Sequence, residues 1–264
     1  MAKKEFLCVL MLITTLCAQA QFPYGTTGLL HMPTADMQKD KTFMFGGSFL
    51  NKNVTPNYWS YNTYNYYINI TLLPFLEVGY TCTLNKALSG STYYPKFVWG
   101  KYCNQDRQFS IRLRILKEEQ FWKYMPAIVL GGNDVTTNDY GSENHISTVE
   151  SEGNGHWNRY YIAMTKHTIY NNIGTLGIHI AYLYNKREDY HINGPAIGGN
   201  FRFSLQEGNL KKVINGLNLI AEYDSKTFNT GFKYSLWKDH INFITELNNF
   251  NYLSGGIYFK VYLK

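Results

Sequence analysis

The chain has 264 residues, enough for one large domain or two small ones. Aromatic and charged residues each make up 17%; the charged share is below the ~25% of an ordinary soluble domain, and the aromatic content excludes disorder. A formal net charge of +6 is mild for this length, and no apolar run after residue 20 approaches the ~20 residues of a spanning helix, so a nucleic-acid-binding footprint and a helical membrane protein are both excluded. Two classes stay open: a soluble all-β protein, or a transmembrane β-barrel whose apolar residues are hidden by alternation.

In chain order, the first element is a targeting signal. Lys3 and Lys4 form a positive n-region, residues 6–16 an apolar stretch, and Ala18-Gln19-Ala20 a small-x-small cleavage site. The expected division is a signal peptide over 1–20 and a barrel domain over 21–264, beginning at Gln21. Cys17 raises a lipoprotein, but Leu16 before it is bulky and Ala18-Gln19-Ala20 matches cleavage better. Residues 21–40 contain Gly25, Gly28 and Pro33. The glycines permit tight turns and the proline bars a central strand, so this segment is expected to be an irregular lead-in. It docks at the periplasmic mouth, enters the lumen, or trails as a loose tail before the first strand.

From residue 41 the sequence alternates with period two. Strands are expected over 41–50, 62–73, 75–84, 106–116, 122–134, 158–167, 172–184, 196–205, 214–224, 226–236 and 240–247, with a final strand around Ile257–Leu263. In 106–116, Phe109, Ile111, Leu113 and Ile115 oppose Ser110, Arg112 and Arg114. In the last strand Ile257, Phe259, Val261 and Leu263 oppose Tyr258, Lys260, Tyr262 and Lys264. Twelve strands of this length fit an all-β, single antiparallel transmembrane β-barrel of outer-membrane type, whose strands cross in roughly 9–11 residues. The long gaps 51–61, 85–105, 135–157 and 185–195 fall on one side, as extracellular loops do, whereas the gap at Pro74 and those over 117–121 and 168–171 are short. Tyr64, Tyr66, Tyr182, Tyr184 and Tyr223 sit at strand ends like an aromatic girdle. A soluble sandwich or lipocalin-like barrel alternates too, with the apolar face inward.

The opening Gly25-Thr26-Thr27-Gly28-Leu29-Leu30-His31-Met32-Pro33-Thr34-Ala35-Asp36-Met37 resembles the start of the YjbH family of exopolysaccharide-associated outer-membrane proteins. Pro74–Tyr80, Asp106–Arg114, Tyr124–Asp134 and Tyr161–Lys166 resemble later segments of that family in the same order. The resemblance covers about 25–235. It implies an outer-membrane barrel connected with capsule or exopolysaccharide production or secretion, as a conduit or a scaffold. Typical members are more than twice as long and continue into a further barrel, whereas this sequence holds the strands of one.

Chemistry-bearing motifs are sparse. The seven histidines are scattered, and His145-Ile146-Ser147 is a lone Ser/His pair in a polar loop, the minimum for an acyl hydrolase. No HExxH, GxSxG or phosphate loop occurs, so no catalytic residue, metal or cofactor is expected. Cys82 reads as a strand residue and Cys103 as a loop residue, so a disulfide between them needs a favourable register. If the apolar face meets lipid, the opposite face lines a lumen holding Arg112, Arg114, Arg202, Lys233 and Lys260 with Glu222, Asp224 and Glu246. The basic residues are expected to meet Glu222 or Glu246 there. Tyr67, Tyr161, Tyr258 and Tyr262 share that face and offer rings for stacking on sugars. The expected partners are outer-membrane lipid, polysaccharide and envelope assembly proteins, with no nucleic acid and the oligomeric state open. The rival readings are a soluble periplasmic carbohydrate-binding β-protein and an outer-membrane lipid or acyl hydrolase.

Overall fold

A computed structural model describes residues 20–55, 59–87, 89–90, 94–136, 157–185, 192–208 and 210–263. Twelve antiparallel strands close into one barrel. They are β1 (Thr42–Leu50), β2 (Thr63–Leu73), β3 (Leu76–Lys86), β4 (Tyr102–Leu116), β5 (Ala127–Asn133), β6 (Arg159–Tyr170), β7 (Gly174–Tyr184), β8 (Gly194–Phe203), β9 (Leu217–Tyr223), β10 (Phe228–Leu236), β11 (Ile241–Asn248) and β12 (Tyr252–Tyr262). Each pairs with its sequence neighbours, and β1 closes on β12 with Thr42 opposite Tyr262 and Phe49 opposite Gly255. Among the described residues no helix is long and apolar enough to cross a membrane.

The alternation resolves in favour of an apolar exterior. Phe109, Ile111, Leu113 and Ile115 of β4 are exposed, while Gln108, Ser110 and Arg112 are buried. The same parity runs round the wall: Ile162 and Met164 outside Tyr161 and Ala163, Ile178 and Ile180 outside His179, Phe243 outside Asn242, Ile257 outside Tyr258. An apolar belt encircling the whole barrel far exceeds the few hundred Å² a water-soluble monomer tolerates. The same belt is the surface a bilayer requires, and the strands behind it pair in a closed ladder with no open edge. Rings mark both ends of the belt. Tyr64, Tyr66, Tyr160, Tyr182 and Tyr184 are exposed towards the rim with the longer connections; Phe75, Trp122, Tyr124, Tyr170 and Trp237 are exposed at the opposite rim.

Several boundaries differ from expectation for local reasons. The fifth strand begins at Ala127, not at 122, because residues up to Pro126 form a turn: Glu119 is left-handed (φ 58°) and Met125 donates to the Trp122 carbonyl at 3.1 Å. The connection between β8 and β9 carries one turn of helix, α1 (Lys211–Ile214), so β9 starts at Leu217. β4 reaches back to Tyr102, which places Cys103 in a strand. Cys82 and Cys103 are both free thiols, Cys82 buried beside the Gln105 side chain at 3.2 Å and Cys103 exposed. The long connections 50–63, 86–102, 133–159 and 184–194 share one rim, but the other rim also carries two substantial ones, 116–127 and 203–217.

A lumen filled by the lead-in as candidate functional site

Of the placements open for residues 21–40, the structure has the segment inside the barrel rather than docked at its mouth or trailing as a loose tail. Every residue from Gln21 to Ala35 is buried, and the chain emerges only at Lys39 before entering β1. Two glycines make the path possible. Gly25 is left-handed (φ 62°), and a Cβ there would lie 2.5 Å from Tyr67 of β2 and 2.8 Å from Thr81 of β3. Gly28 would meet the Gln21 side chain at 2.5 Å and the Met32 carbonyl at 2.6 Å, so no larger residue fits either turn.

An irregular segment buried in a barrel has unpaired backbone groups that need partners. Inward side chains of the wall supply them. Asn65 donates to the Phe22 carbonyl (2.6 Å), Thr81 to that of Tyr24 (2.7 Å) and Gln108 to that of Pro23 (3.2 Å). Glu77 accepts from the Thr27 amide (2.8 Å) and hydroxyl (2.7 Å), from Asn69 (2.7 Å) and from Arg112 Nη1 (2.7 Å). Arg112 in turn donates through Nη2 to the carbonyls of Thr34 (2.6 Å) and Asp36 (2.9 Å). The Glu222 carboxylate sits in a nest of consecutive amides, those of Leu30 (2.9 Å), His31 (2.6 Å) and Met32 (3.2 Å). Arg159 spans Asn133 (2.8 Å), the His31 carbonyl (2.8 Å) and Gln21 Oε1 (3.0 Å), and its guanidinium lies 3.4 Å from the Tyr24 ring centroid. Above this, Trp157 packs edge-on against Tyr24 (5.9 Å) and Trp59 (6.3 Å), closing the end with the long loops.

His31 is the lead-in's own ionisable anchor. Its Nε2 is 2.9 Å from Glu246 and its Nδ1 3.6 Å from Asp224. Burial alone would lower the imidazole; Glu246 first, then Asp224 and Glu222, outweigh it and raise it to about 9. A hollow of about 30 Å³ remains beside His31, Tyr24 and Arg159, room for about one water.

The expected lumen residues therefore separate into groups. Arg112, Lys233, Lys260, Glu222, Asp224 and Glu246 are buried inside the barrel. Arg114 is half-buried at the rim, donating to the Pro74 carbonyl, and Arg202 is half-buried opposite Thr175 and Asn218, far along β9 from Glu222. The expected meeting of the bases with Glu222 or Glu246 is corrected. Arg112 pairs with Glu77, and both lysines pair with Asp239 (Lys233 at 3.1 Å, Lys260 at 2.8 Å), because the lead-in occupies the acids. The Tyr258 ring lies between those lysines, 5.6 Å and 5.8 Å away. Tyr67, Tyr161 and Tyr258 are buried, at 3%, 5% and 0% exposure, and only Tyr262 is open to solvent. The rings are packed rather than presented.

Sequence reasoning missed Glu77, Arg159, His31 and Asp239. Glu77 and Arg159 share the inward parity of Thr81 and Tyr161, so alternation alone points to them. Asp239 had no such signal. It ends a turn in which Trp237, Lys238 and Asp239 are all left-handed (φ 47°, 54°, 72°), a conformation that turns its carboxylate inward. One further group gathers near the lower rim: Asp36 of the lead-in, His167 of β6 and His179 of β7, with donor atoms within 4.8 Å of one another. No local spacing announces it, because the three come from separate elements. His145 and Ser147 lie outside the described residues.

The profile of the YjbH family, exopolysaccharide biosynthesis protein YbjH, matches residues 20–252. No curated protein matches the sequence. Among solved structures, the Salmonella typhi outer membrane phospholipase dimer with bound calcium is similar over 87% of this chain and 95% of that chain, at 12% identity and a TM-score of 0.36.

Proposed function

The chain belongs to the YjbH family of exopolysaccharide biosynthesis proteins, and from that premise we propose that it is an outer-membrane barrel that supports exopolysaccharide production as a plugged scaffold. It is exported through a signal peptide cleaved after Ala20 and is not an enzyme. Membrane residence is supported by the exposed apolar belt and its two aromatic rims. The observation that carries the scaffold reading is the lead-in. A conduit for a polymer needs a wet, continuous path, yet here the polar lumen side chains are spent on holding the chain's own backbone. The working surfaces are then the rims, which meet polysaccharide or envelope assembly proteins.

Locking the lead-in tests the scaffold against a gated conduit. A Cβ at Gly79 would lie 3.3 Å from Thr26 Cγ2, so Thr26→Cys with Gly79→Cys gives a disulfide from lead-in to wall. In a host that depends on this protein for surface polysaccharide, with Cys82→Ala to avoid mispairing, a scaffold keeps full polysaccharide when the bond forms. A conduit loses polysaccharide under oxidising conditions and regains it on reduction.

A further inference from the structure

We propose that Asp36, His167 and His179 are the ligands of a divalent metal of the zinc class, which fastens the exit of the lead-in to the barrel wall. The donor atoms lie within 4.8 Å of one another, and His167 Nε2 is already 3.5 Å from Asp36 Oδ1. Donors around one tetrahedral zinc sit roughly 3.3 Å apart, so rotations of side chains close the set.

Three features of the surroundings fit a metal better than a chance cluster. Both imidazoles are oriented through Nδ1, His167 by Glu118 at 2.7 Å and His179 by the Thr165 hydroxyl at 2.9 Å. Nε2 is therefore the ring atom that each imidazole turns toward the cluster, and the Glu118 contact repeats the carboxylate–histidine pairing that backs metal-bound imidazole. The space is kept open by Gly177, which pairs with His167 across β6 and β7. A Cβ there would lie 2.8 Å from His179 Nε2 and 3.2 Å from His167 Cδ2. Asn200 Oδ1 accepts a hydrogen bond from His179 Nε2 at 2.7 Å in the metal-free chain; metal binding displaces that proton and leaves the amide oxygen beside the ion. Two imidazoles, a carboxylate and an amide oxygen suit zinc rather than calcium or magnesium, which take oxygen throughout. Asp36 and Glu118 balance the ion's two charges, while Lys166 holds the outer side of Glu118 at 2.9 Å.

The consequence is mechanical. Asp36 belongs to the lead-in and the histidines to the wall, so the metal closes a cross-link just before the chain turns into β1. Amides around 34–38 should exchange more slowly with metal than without.

The full chain, folded in detergent and stripped with a chelator, is titrated with Co²⁺ alone as a visible probe. The expected result is one Co²⁺ per chain with a saturable d–d absorption that Zn²⁺ displaces. His179→Gln and Asp36→Asn should abolish it, with heat-resistant mobility on gels reporting that the barrel remains folded. Glu118→Gln should keep the absorption at about 10–100-fold weaker affinity. If His179→Gln does not fold, Asp36→Asn decides, because Asp36 lies outside the strands. Absence of saturable absorption in the wild-type chain, or absorption unchanged in a folded His179→Gln or Asp36→Asn chain, overturns the proposal.

Discussion

Two charged clusters inside the same barrel solve the burial problem differently. On one side, Glu77 and Arg112 pair with each other and spend their remaining capacity on the lead-in, at Thr27, Thr34 and Asp36. On the other, Lys233 and Lys260 converge on Asp239, a residue of the wall's own β10–β11 turn that also accepts from the Ser235 hydroxyl. The first cluster is a fastening between two parts of the chain; the second is a brace within one part. Charges of equal burial thus have separable roles, and the difference predicts which changes release the lead-in and which weaken the wall.

The largest effect is expected from Glu77→Ala. It leaves the Arg112 guanidinium buried without a counter-ion, a loss of about 3–5 kcal/mol, and removes the acceptor of Thr27. Limited proteolysis should then cut within 21–38 in a barrel that still resists heat on gels. Asp239→Asn should cost a comparable or slightly smaller amount, about 3 kcal/mol, because two buried ammonium groups lose their carboxylate but keep an amide oxygen. Its signature is opposite: lower heat resistance with the lead-in still protected. If both variants behave alike, the distinction between fastening and brace fails.

Arg159→Lys sharpens the comparison at the upper end. A lysine keeps the charge but cannot span Asn133, His31 and Gln21 at once, so about 1.5–3 kcal/mol of charged hydrogen bonding is lost. Protease sensitivity should rise near Gln21–Tyr24 and stay unchanged at Thr34–Asp36.

A pH dependence is also expected. The His31 imidazole is raised from 6.5 to about 9 in the folded chain, so its contribution is fully present below pH 6.5 and is lost as pH rises through about 9. The groups facing it are Glu246, Asp224 and Glu222. Between about pH 6 and pH 10 the thermal midpoint of the wild-type chain should fall more than that of His31→Gln; equal slopes would remove His31 as a titrating anchor.

The wall was readable from the sequence because a barrel repeats one rule. Phe109, Ile111 and Ile115 against Ser110 and Arg112 state which residues share a face, and the closed ladder supplies the rest. Which face points outward was not readable from β4 alone, since a soluble barrel alternates identically. Strand length, the tyrosines at strand ends and the alternating final strand favour the membrane barrel. The lead-in was legible only as irregular: Gly25, Gly28 and Pro33 exclude a strand but carry no address. Its partners, Glu77, Glu222 and Arg159, are far away in sequence, and its contacts go through backbone groups that every residue possesses. The same reason hid the pairing of the lysines, because Asp239 acts through the handedness of its turn.

The central claim is that the lead-in fills the lumen of the resting barrel, and conductance in a planar bilayer tests it most directly. The wild-type chain should insert and show no stable pore current, while a chain lacking residues 22–38 should conduct in steady steps. A wild-type chain that conducts stably with its lead-in intact would contradict the account.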